Sequence, residues 1–145
     1  MRKLCEAISD GNFREASWLL EKGADPNEVI PVILTTPLHE AVYHRHHDLV
    51  VLLLAAGANP NAQNASGYTA LHMAAPHPQM VQTLVNAGAD PYIVAKNGQT
   101  ALDVATQYKE MENIVFLKRV MLNIHAKQNT QAPDFNPMSQ QKPNL

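Results

Sequence analysis

Thr36-Pro37-Leu38-His39-Glu40-Ala41 returns as Thr69-Ala70-Leu71-His72-Met73-Ala74, and again as Thr100-Ala101-Leu102-Asp103-Val104-Ala105. Each block follows its own turn: Gly23-Ala24-Asp25-Pro26, Gly57-Ala58-Asn59-Pro60 and Gly88-Ala89-Asp90-Pro91. The threonines lie 33 and then 31 residues apart, the turn glycines 34 and then 31. Self-similarity at such a period marks a stack of units, each too small to bury its apolar face alone.

The residue types say what each unit is. Threonine caps a helix by accepting a hydrogen bond from an orphan amide. Pro37 sits at the first helical position, where its missing N–H costs nothing. Leu38 and Ala41, Leu71 and Ala74, and Leu102 and Ala105 are three apart and share a helix face. Alanine there lets neighbouring first helices approach closely. A second apolar helix follows, with Leu49, Val50, Leu53 and Leu54, then Met80, Val81, Leu84 and Val85. Gly57 and Gly88 end these helices, where a left-handed residue is wanted. Upstream, Leu4 and Ala7, the turn Asp10-Gly11-Asn12, and Ala16, Trp18, Leu19 and Leu20 read as one more unit, with Trp18 expected to pack. Downstream, Leu102 to about Tyr108 and Ile114 to about Ile124 supply a last helix pair. Its stripe of Ile114, Leu117, Met121 and Ile124, with Lys118, Arg119 and Asn123 elsewhere, suits a terminal cap with one packed and one wet face.

These three motif copies resemble the ankyrin-repeat family over roughly residues 2 to 124. The resemblance implies an all-α repeat fold, an α-solenoid of helix–turn–helix units with β-hairpin fingers. It divides the chain into four repeats at about 1–27, 28–61, 62–92 and 93–125, the outer two acting as caps. Residues 126–145 are rich in Gln, Asn and Pro and nearly free of aliphatic side chains. Burial there cannot offset ordering entropy, so a disordered polar tail is expected, with a short motif around Phe135 as one role for it.

Bulk properties narrow the function. The chain has 145 residues, 11 Lys+Arg against 13 Asp+Glu, and a formal net charge of −2. No basic footprint of a nucleic-acid binder is present. The single cysteine, Cys5, excludes an intramolecular disulfide and fits a reducing compartment. No apolar run approaches the roughly 20 residues that cross a bilayer, and the charged start lacks the apolar stretch of a signal peptide. The expectation is a soluble, cytoplasmic protein with no nucleic-acid or membrane partner.

Family members mostly act in protein–protein interaction, through the fingers and the exposed side of the first helices. The resemblance therefore implies a stand-alone, non-enzymatic adaptor or inhibitor that binds another protein. Two alternatives accompany it. One is a bacterial or viral effector acting on a host protein in the host cytoplasm. The other is a homo-oligomeric structural unit.

Two departures from the family pattern bear on where binding occurs. Eight residues separate Asn27 from Thr36, against seven in the other two fingers, and they read Glu28-Val29-Ile30-Pro31-Val32-Ile33-Leu34-Thr35. A hairpin tip is exposed by geometry, so these aliphatic residues form either an apolar contact patch, for a partner or for self-association, or a segment folded back onto its neighbours. The third repeat lacks two residues between Ala75 and His77, and Pro76 and Pro78 force its first helix to end early. A notch beside Met73 and His77 is expected. A shortened inner helix is similar to one in the ankyrin inhibitors of cell-cycle kinases, where it falls one repeat earlier.

The candidate contact set is Glu40, Tyr43, His44 and Met73 on the first helices, His77 at the notch, and Val29, Ile30, Val32, Ile33, Leu34, Tyr68 and Tyr92 on the fingers. Tyrosine is enriched at binding hot spots. No catalytic residue, cofactor or metal is expected. His44, His46 and His47 cluster, yet His46 and His77 fall at a family turn position, and Arg45 between His44 and His46 repels a cation. His39 and His72 are the motif's own histidines, which in this family tie adjacent repeats. Cys5 aligns with that motif position and lacks any neighbour that would activate it.

Overall fold

Every motif threonine closes a reciprocal cap. In the computed structural model, which describes residues 3–131, Thr36, Thr69 and Thr100 accept from the amides of His39, His72 and Asp103, whose side chains accept from the threonine amides in return. Two orphan donors are satisfied at each helix start. The helices so begun are α3 (Pro37–Tyr43), α5 (Ala70–Ala74) and α7 (Ala101–Gln107). They line up behind α1 (Leu4–Ser9) in one layer, each packing on the next. The second layer is α2 (Phe13–Glu21), α4 (His47–Ala55), α6 (Pro78–Asn86) and α8 (Met111–Gln131), again in sequence.

The core is the seam between the layers. Ala7, Ala41, Ala74 and Ala105 are fully buried and let the first helices approach, while Ile8, Leu38, Leu49, Leu53, Leu71, Leu84 and Leu117 fill the space behind them. Burying one such leucine is worth about 1.5–3 kcal/mol. Trp18, expected to pack, is instead half-exposed on α2, with the Lys22 ammonium 5.9 Å from its ring centre.

The connections carry the regularity of the stack. Asn27 and Asn61, which follow the Asp-Pro and Asn-Pro pairs, each reach across to the next repeat. Asn27 donates to the Gly57 carbonyl (3.1 Å) and accepts from the Asn59 amide (2.7 Å). Asn61 does the same with Gly88 (3.3 Å) and Asp90 (2.7 Å). Between helices, Gly11 takes φ 71°, and a Cβ on it would lie 2.8 Å from the His46 ring. Arg45 and Lys109 hold the corresponding left-handed position in later repeats, at φ 60° and 57°.

The prolines end one helix early, as expected, and the last helix runs past its expected end. α5 has five residues against seven in α3 and α7, as the prolines require. The carbonyl this leaves at Ala75 is taken by the side-chain amide of Asn113, a buried residue of α8. α8 does not stop near 125. It continues through Gln131, so residues 126–131 belong to the helix, and the remainder of the expected tail, Phe135 included, lies outside the described residues.

Candidate functional site

The fingers are short turns joined edge to edge. No strand is formed among the described residues, and the one isolated antiparallel bridge pairs Ile30 with Thr35. In the second finger the Asn64 side chain accepts from the Ser66 and Tyr68 amides, and Gly67 follows at φ 82°. A Cβ on Gly67 would lie 2.7 Å from the Lys96 nitrogen, so glycine is required where the third finger crosses. Backbone bonds link the three tips: Ala65 N–H to Ile33 C=O (2.9 Å) and Lys96 N–H to Ser66 C=O (3.0 Å).

Histidines fix the fingers to the helices. The Thr36 amide donates to His39 Nδ1, so the ring proton is on Nε2, which donates to the Tyr68 carbonyl at 2.9 Å. His72 repeats this with Thr69 and the Gln99 carbonyl (2.8 Å). Burial lowers the pKa of both rings, opposed by those carbonyl bonds, and keeps them neutral. Each ring therefore sets the height of the next finger, which places Tyr68 and Gln99 over the first helices.

The first finger exposes its aliphatic residues. Val32 at its tip is 88% exposed, and Val29, Ile33 and Leu34 are each about half-exposed. Ile30 differs: it is half-buried and faces Cys5 and Ser9 of α1. The tip is strained, because Val32 and Leu34 have φ of 77° and 54° and Ile33 N–H bonds back to the Pro31 carbonyl at 2.9 Å. A β-branched residue in that region is an outlier.

The early end of α5 opens a concave groove of about 570 Å³ between the second and third fingers and the first helices. Tyr68 and Met73 line it together. His77 does not. It lies in a separate depression of about 470 Å³ with Arg45, His47 and Glu112, on the inter-helix turns. The expected single notch beside Met73 and His77 is therefore two features, with Met73 on the finger side of the short helix and His77 on the turn that follows it. Burial, then the Arg45 charge, lowers the His77 pKa.

A family model described as ankyrin repeats in three copies matches residues 38–131, and one for ankyrin repeats in many copies matches residues 4–54. The chain belongs to the ankyrin-repeat family. Ankyrin repeats generally mediate protein–protein interaction and are themselves non-catalytic. Among similar proteins, the 2-5A-dependent ribonuclease of Mus musculus is 39% identical over 71 residues, 49% of this chain and 10% of that protein. The cyclin-dependent kinase inhibitor 2A of Monodelphis domestica is 34% identical over 73 residues, covering 50% of this chain and 43% of its own length. Human cyclin-dependent kinase 4 inhibitor B matches at 34% over 73 residues, 50% of this chain and 53% of its own. The chain thus spans from a tenth to about half of these relatives.

Within this ankyrin stack the other expected contact residues separate. Tyr43 and His44 are exposed at the end of α3, their rings edge-to-face at 5.1 Å. Glu40 accepts from the Ser9 hydroxyl (2.8 Å) and lies 3.5 Å from His44 Nε2, so part of its hydrogen-bonding capacity is used inside the stack. Tyr92 sits apart from the concave face, and its hydroxyl donates to the Met121 carbonyl on α8 at 2.9 Å. It occupies the position that Asn27 and Asn61 hold in earlier repeats.

The histidine cluster is dispersed by the fold. His44 and His46 stack at 5.9 Å, whereas His47 Nε2 turns to the Thr83 hydroxyl on α6 (2.8 Å). Among the described residues no group of three or more His, Cys, Asp or Glu is placed to hold a metal. Cys5 is buried, and burial followed by the Glu28 carboxylate pushes its thiol up to about 12. No helix of the described residues is long and apolar enough to cross a membrane.

Sequence reasoning missed much of the groove. Tyr43 and His44 recur two repeats later as Gln107 and Tyr108, and both line it. Transposing the helix-face rule to the last repeat would have found them.

Proposed function

We propose that this chain is a non-enzymatic protein-binding module, an adaptor or inhibitor that holds a protein partner against its finger tips and concave face. The first finger supplies the apolar part of the contact and the helix face, with Tyr43 and His44, the polar part. Its site of action is the cytoplasm, in keeping with a lone buried thiol, and its partner is neither nucleic acid nor membrane, in keeping with a net charge of −2.

One observation carries the reading. Val29, Val32, Ile33 and Leu34 stand exposed together on a strained tip. Exposed apolar clusters mark interaction sites, and backbone strain concentrates where a segment is held for function. The match to two kinase inhibitors supports the inhibitor form of the proposal.

The test is a Val32→Asp, Ile33→Asp variant. Aspartate tolerates the left-handed region better than valine, so the fold should persist, with an unchanged helical circular-dichroism spectrum. Affinity capture from native lysate should retain a partner with wild type and lose it with the variant. Equal capture by both would remove the finger from the binding surface. A wild type that sediments as a dimer and a variant that sediments as a monomer would assign the finger to self-association.

A further inference from the structure

The groove left by the short α5 has a directional polar rim. The Gln99 backbone amide donates to Asn97 Oδ1 (3.0 Å), which turns the Asn97 amide nitrogen outward. That nitrogen donates to the Tyr68 hydroxyl (2.8 Å) and to Gln99 Oε1 (3.1 Å). Gln99 Nε2 must then face Gln107, and it donates to Gln107 Oε1 at 3.1 Å. A main-chain N–H cannot accept, so each amide in the relay has its orientation set by the one before it. The relay ends on Gln107 Nε2, whose two protons have no partner in the stack. Tyr68 accepts from Asn97 and keeps its own proton free, and the Tyr108 hydroxyl is uncommitted. The rim thus presents free donors at Gln107 Nε2 and the Tyr68 hydroxyl, beside a Tyr108 hydroxyl that can donate or accept.

The groove is uncharged, and part of its lining is apolar. Met73, Pro76, Val104 and the Tyr108 ring supply the apolar lining, and His72, also in the lining, is kept neutral by burial. No lining residue carries a formal charge, so a charged side chain entering here would lose water without meeting a counter-charge.

Resting on the protein-binding reading above, we propose that this groove is a subsite for an uncharged, extended peptide segment of the partner. One aliphatic or aromatic side chain of that segment enters between Met73, Pro76 and Tyr108. Its backbone carbonyls accept from Gln107 Nε2 and from the Tyr68 hydroxyl. The subsite discriminates against acidic and basic side chains, because it offers donors and apolar area but no ion.

The test uses a phage-displayed library of random linear peptides selected on the full chain. Enriched peptides should share an uncharged apolar residue, and their binding should weaken about tenfold or more in Gln107→Glu, which keeps the contact to Gln99 and replaces the free donor with an acceptor. Tyr108→Ala should weaken them similarly. The Val32→Asp, Ile33→Asp variant should bind them as wild type does. No enrichment, enrichment of acidic or basic peptides, or peptides indifferent to Gln107→Glu would overturn the subsite. Peptides lost only in the finger variant would overturn it too, while leaving the finger-based binding reading intact.

Discussion

The Tyr92 hydroxyl donates to the Met121 carbonyl at 2.9 Å, and in doing so it ends a ladder. Asn27 and Asn61 hold the same place two and one repeats earlier, and each bonds to the turn of the repeat that follows. In the fourth helix pair α8 runs on where that turn would be, and the longer Tyr92 side chain reaches it. Tyr92→Phe should therefore lower stability by about 0.5–1.5 kcal/mol, the usual net value of one hydrogen bond. Hydrogen exchange should quicken at residues 120–128 of α8 and nowhere in the first two repeats. Uniform quickening would show that the bond braces the whole stack instead.

Leu71 sits in the middle of the first-helix layer and is almost fully buried. Leu71→Ala should cost about 2–5 kcal/mol in urea unfolding. A value below about 1 kcal/mol would mean that the shortened repeat lets its neighbours collapse onto the cavity.

Mild acid should loosen the stack through its two motif histidines. His39 and His72 are neutral in the folded chain, with pKa values lowered chiefly by burial. The unfolded chain takes up these protons near pH 6.5, so between that value and the folded pKa it binds more protons than the native state. Stability is then complete above about pH 6.5 and falls as pH drops through that window. Urea midpoints should decline as pH is lowered from about 7.5 to about 5.5. In the His39→Gln, His72→Gln double variant the same measurement should decline less, with His77, whose pKa is also lowered, supplying the remainder. An equal slope in both proteins would place the titrating groups elsewhere.

Val32 is the strained residue of the first finger, at φ 77° and with almost no burial to lose. Val32→Gly should raise the unfolding free energy by about 0.5–1 kcal/mol, relief of strain outweighing the added freedom of the unfolded chain. A destabilised variant would show that the Val32 side chain makes contacts that hold the tip.

His44 and His47 should part company. His47→Ala removes the bond to Thr83 between the second and third repeats and should cost about 0.5–1.5 kcal/mol. His44→Ala, at an exposed position, should stay within about 0.5 kcal/mol. Thermal melts of the two single variants separate them.

The sequence by itself determined the architecture. Thr36, Thr69 and Thr100 cap first helices wherever the motif occurs, Pro37 begins one and Pro76 stops another, and the leucine–alanine spacing fixes which face is buried. These are local rules, set by the backbone's own orphan amides and by helical periodicity, and they are legible without knowing what lies across the interface. The tertiary structure decided what depends on reach between repeats. Only it showed that Ile30 turns inward while Val32 turns out, that Tyr92 braces α8, that His47 bonds to Thr83, and that Met73 and His77 line different depressions. Only it showed the amide relay, because the Gln99 side chain finds Gln107 across space rather than along the chain. Contacts of this kind depend on distances of about 3 Å between atoms from separate elements, and no residue pattern along one strand of sequence encodes such a distance.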